Sequence, residues 1–174
     1  MHRRGIPKGY RNWTRSNVKR WENLRINNFK INGFGKLQNK EIELQNGINV
    51  ILGENESGKS SMLKFISSMF YGASKNKNGK DISDFDKYKP WKTEEFSGKI
   101  NYTLDNGETF EVYREFKKKN PIIYNSSKED ISKKFKIDKT KGIEFFEEQT
   151  GIDEETFYST AISEQEGLRL SKSS

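Results

Sequence analysis

Eight consecutive residues constrain this chain more than any others: Gly53-Glu54-Asn55-Glu56-Ser57-Gly58-Lys59-Ser60 spells G-x-x-x-x-G-K-[ST]. An apolar, β-branched run, Ile48-Asn49-Val50-Ile51-Leu52, leads into it, and Met62, Leu63, Phe65, Ile66, Met69 and Phe70 leave it at helical spacing. Between a strand and a helix such a stretch predicts a phosphate-binding loop. Its glycines let the backbone curl so that successive N–H groups converge on phosphate oxygens. The lysine adds a point charge toward the β- and γ-phosphates, and the hydroxyl after it is placed to ligate Mg²⁺. The bare pattern arises by accident in roughly one chain of this length in a hundred or two. A second Ser-Gly-Lys at 97–99 serves as an internal control, because Thr93 replaces the first glycine there and Ile100 replaces the hydroxyl.

At 174 residues the chain predicts one domain, but with 31% hydrophobic and 33% charged residues its core must be modest. The absence of cysteine excludes a disulfide scaffold and a thiolate metal site. His2 is the only histidine, which argues against histidine-centred catalysis and imidazole zinc sites. No apolar run approaches the roughly 18 residues that span a membrane, so the expectation is a soluble, cytoplasmic, bacterial-type protein with no membrane partner. The net charge of +7 is concentrated at the start. Residues 1–20 hold seven basic side chains and no acid, leaving 25 basic against 25 acidic elsewhere. Residues 1–23 therefore read as a basic arm, with Tyr10, Trp13 and Trp21 interleaved. It could grip phosphates and stack on bases, or be a plain extension or upstream sequence; Gly5, Pro7 and Gly9 argue against a transit peptide.

Leu24–Ile31 and Lys40–Leu44 read as strands joined through the turn cluster Asn32-Gly33-Phe34-Gly35, and Ile48–Leu52 as a central strand, too apolar for an edge. A helix follows the loop to about Tyr71. The polar stretch Gly72–Gly98 predicts a surface excursion with Pro90-Trp91 as its anchor. Lys99–Leu104 and Glu108–Phe116 form a hairpin about Asp105-Asn106-Gly107. Arg114 falls on the apolar parity of its strand, either as a snorkelling or paired arginine or as a contact to the nucleotide site. Lys117-Lys118-Lys119 reads as a solvated turn. Phe145, Phe146 and Gln149 predict a short helix ending at Gly151; Asp153 caps another over Glu154–Tyr158, and Ser159–Ser163 reads as a strand.

This order of features resembles the N-terminal half-head of the SMC-like ABC ATPases, which include the double-strand-break repair ATPase that partners a nuclease, and within them the bacterial YhaN-type AAA-domain proteins. The resemblance is carried by Leu24-Arg25-Ile26-Asn27-Asn28-Phe29, Gly33-Phe34-Gly35-Lys36, Glu41-Ile42-Glu43-Leu44, Gly47-Ile48-Asn49-Val50-Ile51, the loop through Ser61, Tyr88-Lys89-Pro90-Trp91, Phe157, and Ile162-Ser163-Glu164-Gln165. It implies an α/β P-loop NTPase (ABC-ATPase-like) lobe I over residues 24–170, with an antiparallel β subdomain, incomplete without a C-terminal lobe. Residues 171–174 would then begin a coiled coil or tail. ATP and Mg²⁺ are the implied cofactors, with Gly53, Asn55, Glu56, Ser57, Gly58, Lys59, Ser60 and Ser61 holding the phosphates and Ser60 the metal. Lys59 also has a catalytic role. Gln165 matches the Q-loop glutamine that reaches metal and attacking water, and Lys30 sits where relatives place a basic residue near the nucleotide.

The implied partners are a C-terminal ATPase lobe, a second head in an ATP-sandwiched dimer, DNA, and a nuclease subunit. The signature Leu-Ser-Gly-Gly stretch, the Walker B Asp with its catalytic Glu, and the switch His belong to that second half-head and do not occur in this sequence. The expectation is therefore an N-terminal fragment or one subunit of a split head, binding Mg-ATP weakly and turning it over barely at all. The implied function is ATP binding and hydrolysis coupled to DNA repair or chromosome maintenance. The alternatives are a nucleotide-binding module without catalysis, or another P-loop kinase or GTPase. A kinase lid would need more arginines than Arg25, Arg114 and Arg169, and no Asn-Lys-x-Asp base reader follows the loop.

Overall fold

A computed structural model describes residues 24–73, 82–139 and 141–161; the basic arm, Gln165 and the C-terminal tail lie outside the described residues. Alternation of apolar and polar residues builds one five-stranded antiparallel sheet. Strand β1 (Arg25–Phe34) pairs with β2 (Leu37–Glu43) on one side and with β3 (Ser97–Thr103) on the other. Strands β4 (Thr109–Glu115) and β5 (Ile122–Tyr124) extend it, in the order β2-β1-β3-β4-β5. Phe29, Ile31, Ile100, Tyr102, Val112 and Ile123 are fully buried or nearly so. Helix α1 (Lys59–Tyr71) packs against β1, β3 and β4 and buries Met62, Phe65, Met69 and Phe70. The Phe65 ring lies 5.9 Å from Phe29 and 5.5 Å from Phe34, centroid to centroid, within the range of favourable aromatic pairs.

The control glycine shows its role at this contact. A Cβ on Gly98 would come within 2.4 Å of the Phe65 ring, so Ser97-Gly98-Lys99 is a packing strand and not a second phosphate loop. Beyond β5 lie a 3-10 turn (Ser132–Lys134), a two-stranded ribbon of β6 (Ile137–Asp138) and β7 (Gly142–Ile143), and a pair of short helices. Helix α3 (Phe145–Thr150) ends at Gly151 in the left-handed region, as its sequence predicts, and α4 (Glu154–Ala161) starts with the Thr156 N–H donating to Asp153 at 2.7 Å. Phe146 stacks on Phe70 at 4.1 Å, joining these helices to α1. Among the described residues no helix is long and apolar enough to cross a membrane.

Five expectations change. Ile48–Leu52 is not a strand, and its side chains face outward: Ile48 is 95%, Val50 74% and Leu52 88% exposed. The described strands pair with one another and leave this run no ladder, while Asn49 and Gln45 close a turn before it (2.8 and 2.9 Å). β1 continues through Asn32-Gly33, and the turn is confined to Gly35-Lys36, because Gly33 packs so tightly that a Cβ there would lie 2.0 Å from the Glu95 carbonyl. The excursion carries a short helix, α2 (Asp84–Tyr88), capped by Ser83, whose Oγ accepts from the Asp86 N–H at 3.1 Å. Its anchors are Tyr88, stacked on Phe34 at 4.9 Å, and buried Pro90, whereas Trp91 is 93% exposed. Finally, residues 159–161 are helical, with Ser159 and Thr160 hydroxyls donating back to the Thr156 carbonyl; Ile162 and Ser163 lie outside the described residues.

Candidate functional site

The loop preceding α1 folds as a tight ring. The Ser57 N–H donates to the Glu54 carbonyl at 3.1 Å, Glu56 takes φ +65°, and Gly58 stands in the left-handed region at φ +104° as the residue that begins the helix. Both motif glycines are closely packed, and Gly58 also needs its positive φ. A Cβ on Gly53 would lie 2.5 Å from the Ser57 hydroxyl, and one on Gly58 would lie 2.6 Å from Leu37 Cδ2. The Lys59 ammonium reaches back across the ring to donate to the carbonyls of Gly53 (2.7 Å) and Glu54 (2.8 Å).

This geometry collects positive potential. Helix α1 has no side-chain cap and no acidic residue in its first turn. Its N-terminal N–H groups and the aligned peptide dipoles of 13 residues therefore face the loop with no acidic side chain of the helix's first turn against them, Glu54 and Glu56 being the carboxylates of the loop itself. Gly53, Glu54, Asn55, Glu56, Ser57, Lys59 and Ser60 are exposed, Ser61 is half-buried and only Gly58 of the loop is buried, so the loop lies at the surface. A curled loop with Gly58 in the left-handed region, an uncapped helix start and an adjacent ammonium together fit a polyphosphate. Lys59 would hold its oxygens with the loop amides, and the Ser60 hydroxyl would hold Mg²⁺. Among the described residues no group of three or more His, Cys, Asp or Glu could hold a metal ion.

The supporting shell comes from β1, β2 and α2. Leu37 packs beneath Gly58, Gly35 donates its N–H to the Tyr88 carbonyl at 2.6 Å, and the Ser61 hydroxyl lies 3.9 Å from the Cβ position of Gly35. Lys36 is brought against the loop, its Cε 3.6 Å from the Cβ position of Gly58. Sequence reasoning singled out Lys30, while Lys36 is a further cation beside the loop. Lys30 lies mid-strand and exposed, opposite Glu41 on β2 and Lys99 on β3. The signal for Lys36 is its place beside Gly35, in the turn that packs against the loop. Gln165 lies outside the described residues.

Arg114 is not a contact to the nucleotide loop. It is buried at the opposite end of α1, where Nε donates to the Met69 carbonyl at 3.0 Å and Nη2 to the Phe70 carbonyl at 3.3 Å. Burial pushes its guanidinium down to about 10. A helix of this length holds the two ends about 20 Å apart.

A family model described as an AAA domain matches residues 28–172. No curated protein matches the chain.

Proposed function

The chain belongs to the AAA-domain family, and from that premise we propose that it is the ATP-binding N-terminal lobe of an SMC-like ATPase. In this reading the whole protein couples ATP binding and hydrolysis to DNA repair or chromosome maintenance. The observation that carries the proposal is a tight loop of phosphate-binding sequence at the start of α1, flanked by an apolar run without a strand partner among the described residues. The loop accounts for nucleotide binding. Exposed, β-branched Ile48, Val50 and Ile51 have the composition of a buried strand, and they suit pairing with strands of a complementing C-terminal lobe.

Phosphoryl transfer depends mainly on positioning and on electrostatic stabilisation of charge on the transferred group. Lys59, the loop amides and the N-terminus of α1 supply that stabilisation on one side, and Lys36 adds a further cation at the rim. Mg²⁺, held by Ser60 with the phosphates, would neutralise charge on them. Gln165 and the opposite head's signature motif would complete the site.

Titrating Mg-ATP into the chain tests the loop. Weak, saturable binding is expected, and Lys59→Ala should weaken it at least tenfold; unchanged affinity in that variant would refute the assignment. The DNA-linked part is tested on the complete head by measuring ATP turnover with and without DNA. Stimulation that disappears in Lys59→Ala supports it, and turnover indifferent to DNA counts against it.

A further inference from the structure

At the far end of α1 from the phosphate loop lies a cavity of about 530 Å³, within the size range of small-molecule sites. Arg114 lines it, 4% exposed, and five basic side chains in all reach it: Arg114, Lys118, Lys119, Lys139 and Lys141. The Arg114 guanidinium spends two N–H bonds on the last carbonyls of α1. Its Nη1 group lies 3.5 Å from the Cβ position of Gly72, which also lines the cavity, and has no acceptor among the described residues. No carboxylate among the described residues stands within ion-pair distance of it. The C-terminus of a helix offers only about half a negative charge, so a buried cation remains partly uncompensated.

The lysines around it are unevenly matched. Lys118 pairs with Glu115 at 2.7 Å and Lys141 with Glu144 at 3.5 Å. Lys119 donates to the Lys139 carbonyl, drawing the β4–β5 connection and the β6 end together, while the Lys139 ammonium has no carboxylate partner among the described residues. Glu144, Glu147 and Glu154 line the cavity as well. The cavity lining thus carries five basic side chains against three carboxylates. A planar guanidinium with unused N–H groups matches a tetrahedral oxyanion in geometry as well as charge.

We propose that this cavity is a second anion site, separate from the phosphate loop, that takes a small phosphate-bearing anion on Arg114, Lys119 and Lys139. It does not depend on the ATPase reading. Its position explains why an arginine, rather than an apolar residue, occupies the apolar parity of β4.

The test uses the full chain carrying Lys59→Ala, which silences the loop, titrated separately with inorganic phosphate, pyrophosphate and AMP. Binding is followed by calorimetry and by the amide resonances of Gly72 and Ala73. Saturable binding that shifts those amides is expected, and it should weaken about tenfold or more when Lys119→Ala and Lys139→Ala are added. Both lysines are exposed, so these changes leave the core intact. Tighter binding of AMP than of phosphate would identify a nucleotide monophosphate as the source, and the reverse a free phosphate. No saturable response, or a response unmoved by the two lysine changes, would overturn the site. Arg114→Lys provides a second reading, since it keeps the charge but removes the fork. If it folds, it should weaken phosphate binding at the cavity while leaving ATP affinity unchanged in the chain that retains Lys59.

Discussion

Gly58 meets two requirements that no other residue satisfies together. Its φ of +104° is strained for any side chain, and Leu37 occupies the space a Cβ would need. Gly58→Ala is therefore expected to cost about 2 kcal/mol or more and to abolish nucleotide binding, since the ring cannot close onto the helix. Urea unfolding together with an ATP titration checks both, and a stable variant with intact binding would show that the loop is not held as described. Arg114 sets a second residue-scale expectation. Arg114→Met keeps much of the side-chain length but removes two charge-assisted bonds to carbonyls, and should lower stability by about 2 kcal/mol. A denaturation midpoint equal to that of the parent chain would mean those carbonyls are satisfied without it. The loop residues were legible because their spacing encodes backbone geometry locally. Lys36 was not, because its approach to Gly58 depends on how the β1–β2 turn docks across the chain.

Among the elements, the helix starts and stops followed local chemistry most closely. Asp153 accepts from the Thr156 backbone and side chain, and this holds its carboxyl below the ordinary 3.8. A carboxyl depressed in the folded state contributes stability that is present above its unfolded value and lost as pH falls through its folded one. Helix α4 should therefore loosen at its start only in strongly acidic solution. A carboxyl titration of Asp153 by NMR should have its midpoint below 3.8, and Asp153→Ala should remove the acid-dependent loosening; a midpoint at or above the ordinary value would count against the cap. Helix α2 was hidden because five residues carry little periodicity. It persists through tertiary contacts: Phe85 against Phe96 at 5.3 Å, Tyr88 against Phe34, and Lys64 of α1 paired with Asp84 at 2.8 Å. Its boundaries illustrate why short elements need a core to define them.

For the whole molecule the informative feature is the mismatch between composition and environment at Ile48–Leu52. A run so apolar and so exposed should exchange its backbone hydrogens rapidly in the isolated chain and become protected only when a complementing polypeptide adds strands beside it. Hydrogen exchange measured by mass spectrometry checks this, and strong protection in the chain alone would show that the run already has a partner. Val50→Lys should raise the solubility of the isolated chain and weaken such complementation. The curled loop, the α1 helix behind it, the β3–β4 hairpin, α3 and the start of α4 could all be read before any folding, because each is written in local spacing, turn chemistry or capping. Packing across the chain was needed to leave Ile48–Leu52 outside the sheet, to set Arg114 at the far end of α1, and to bring Lys36 against the loop. Those outcomes depend on which surfaces are present to pair with, and hydrophobic pattern specifies that a segment must be covered without specifying by what.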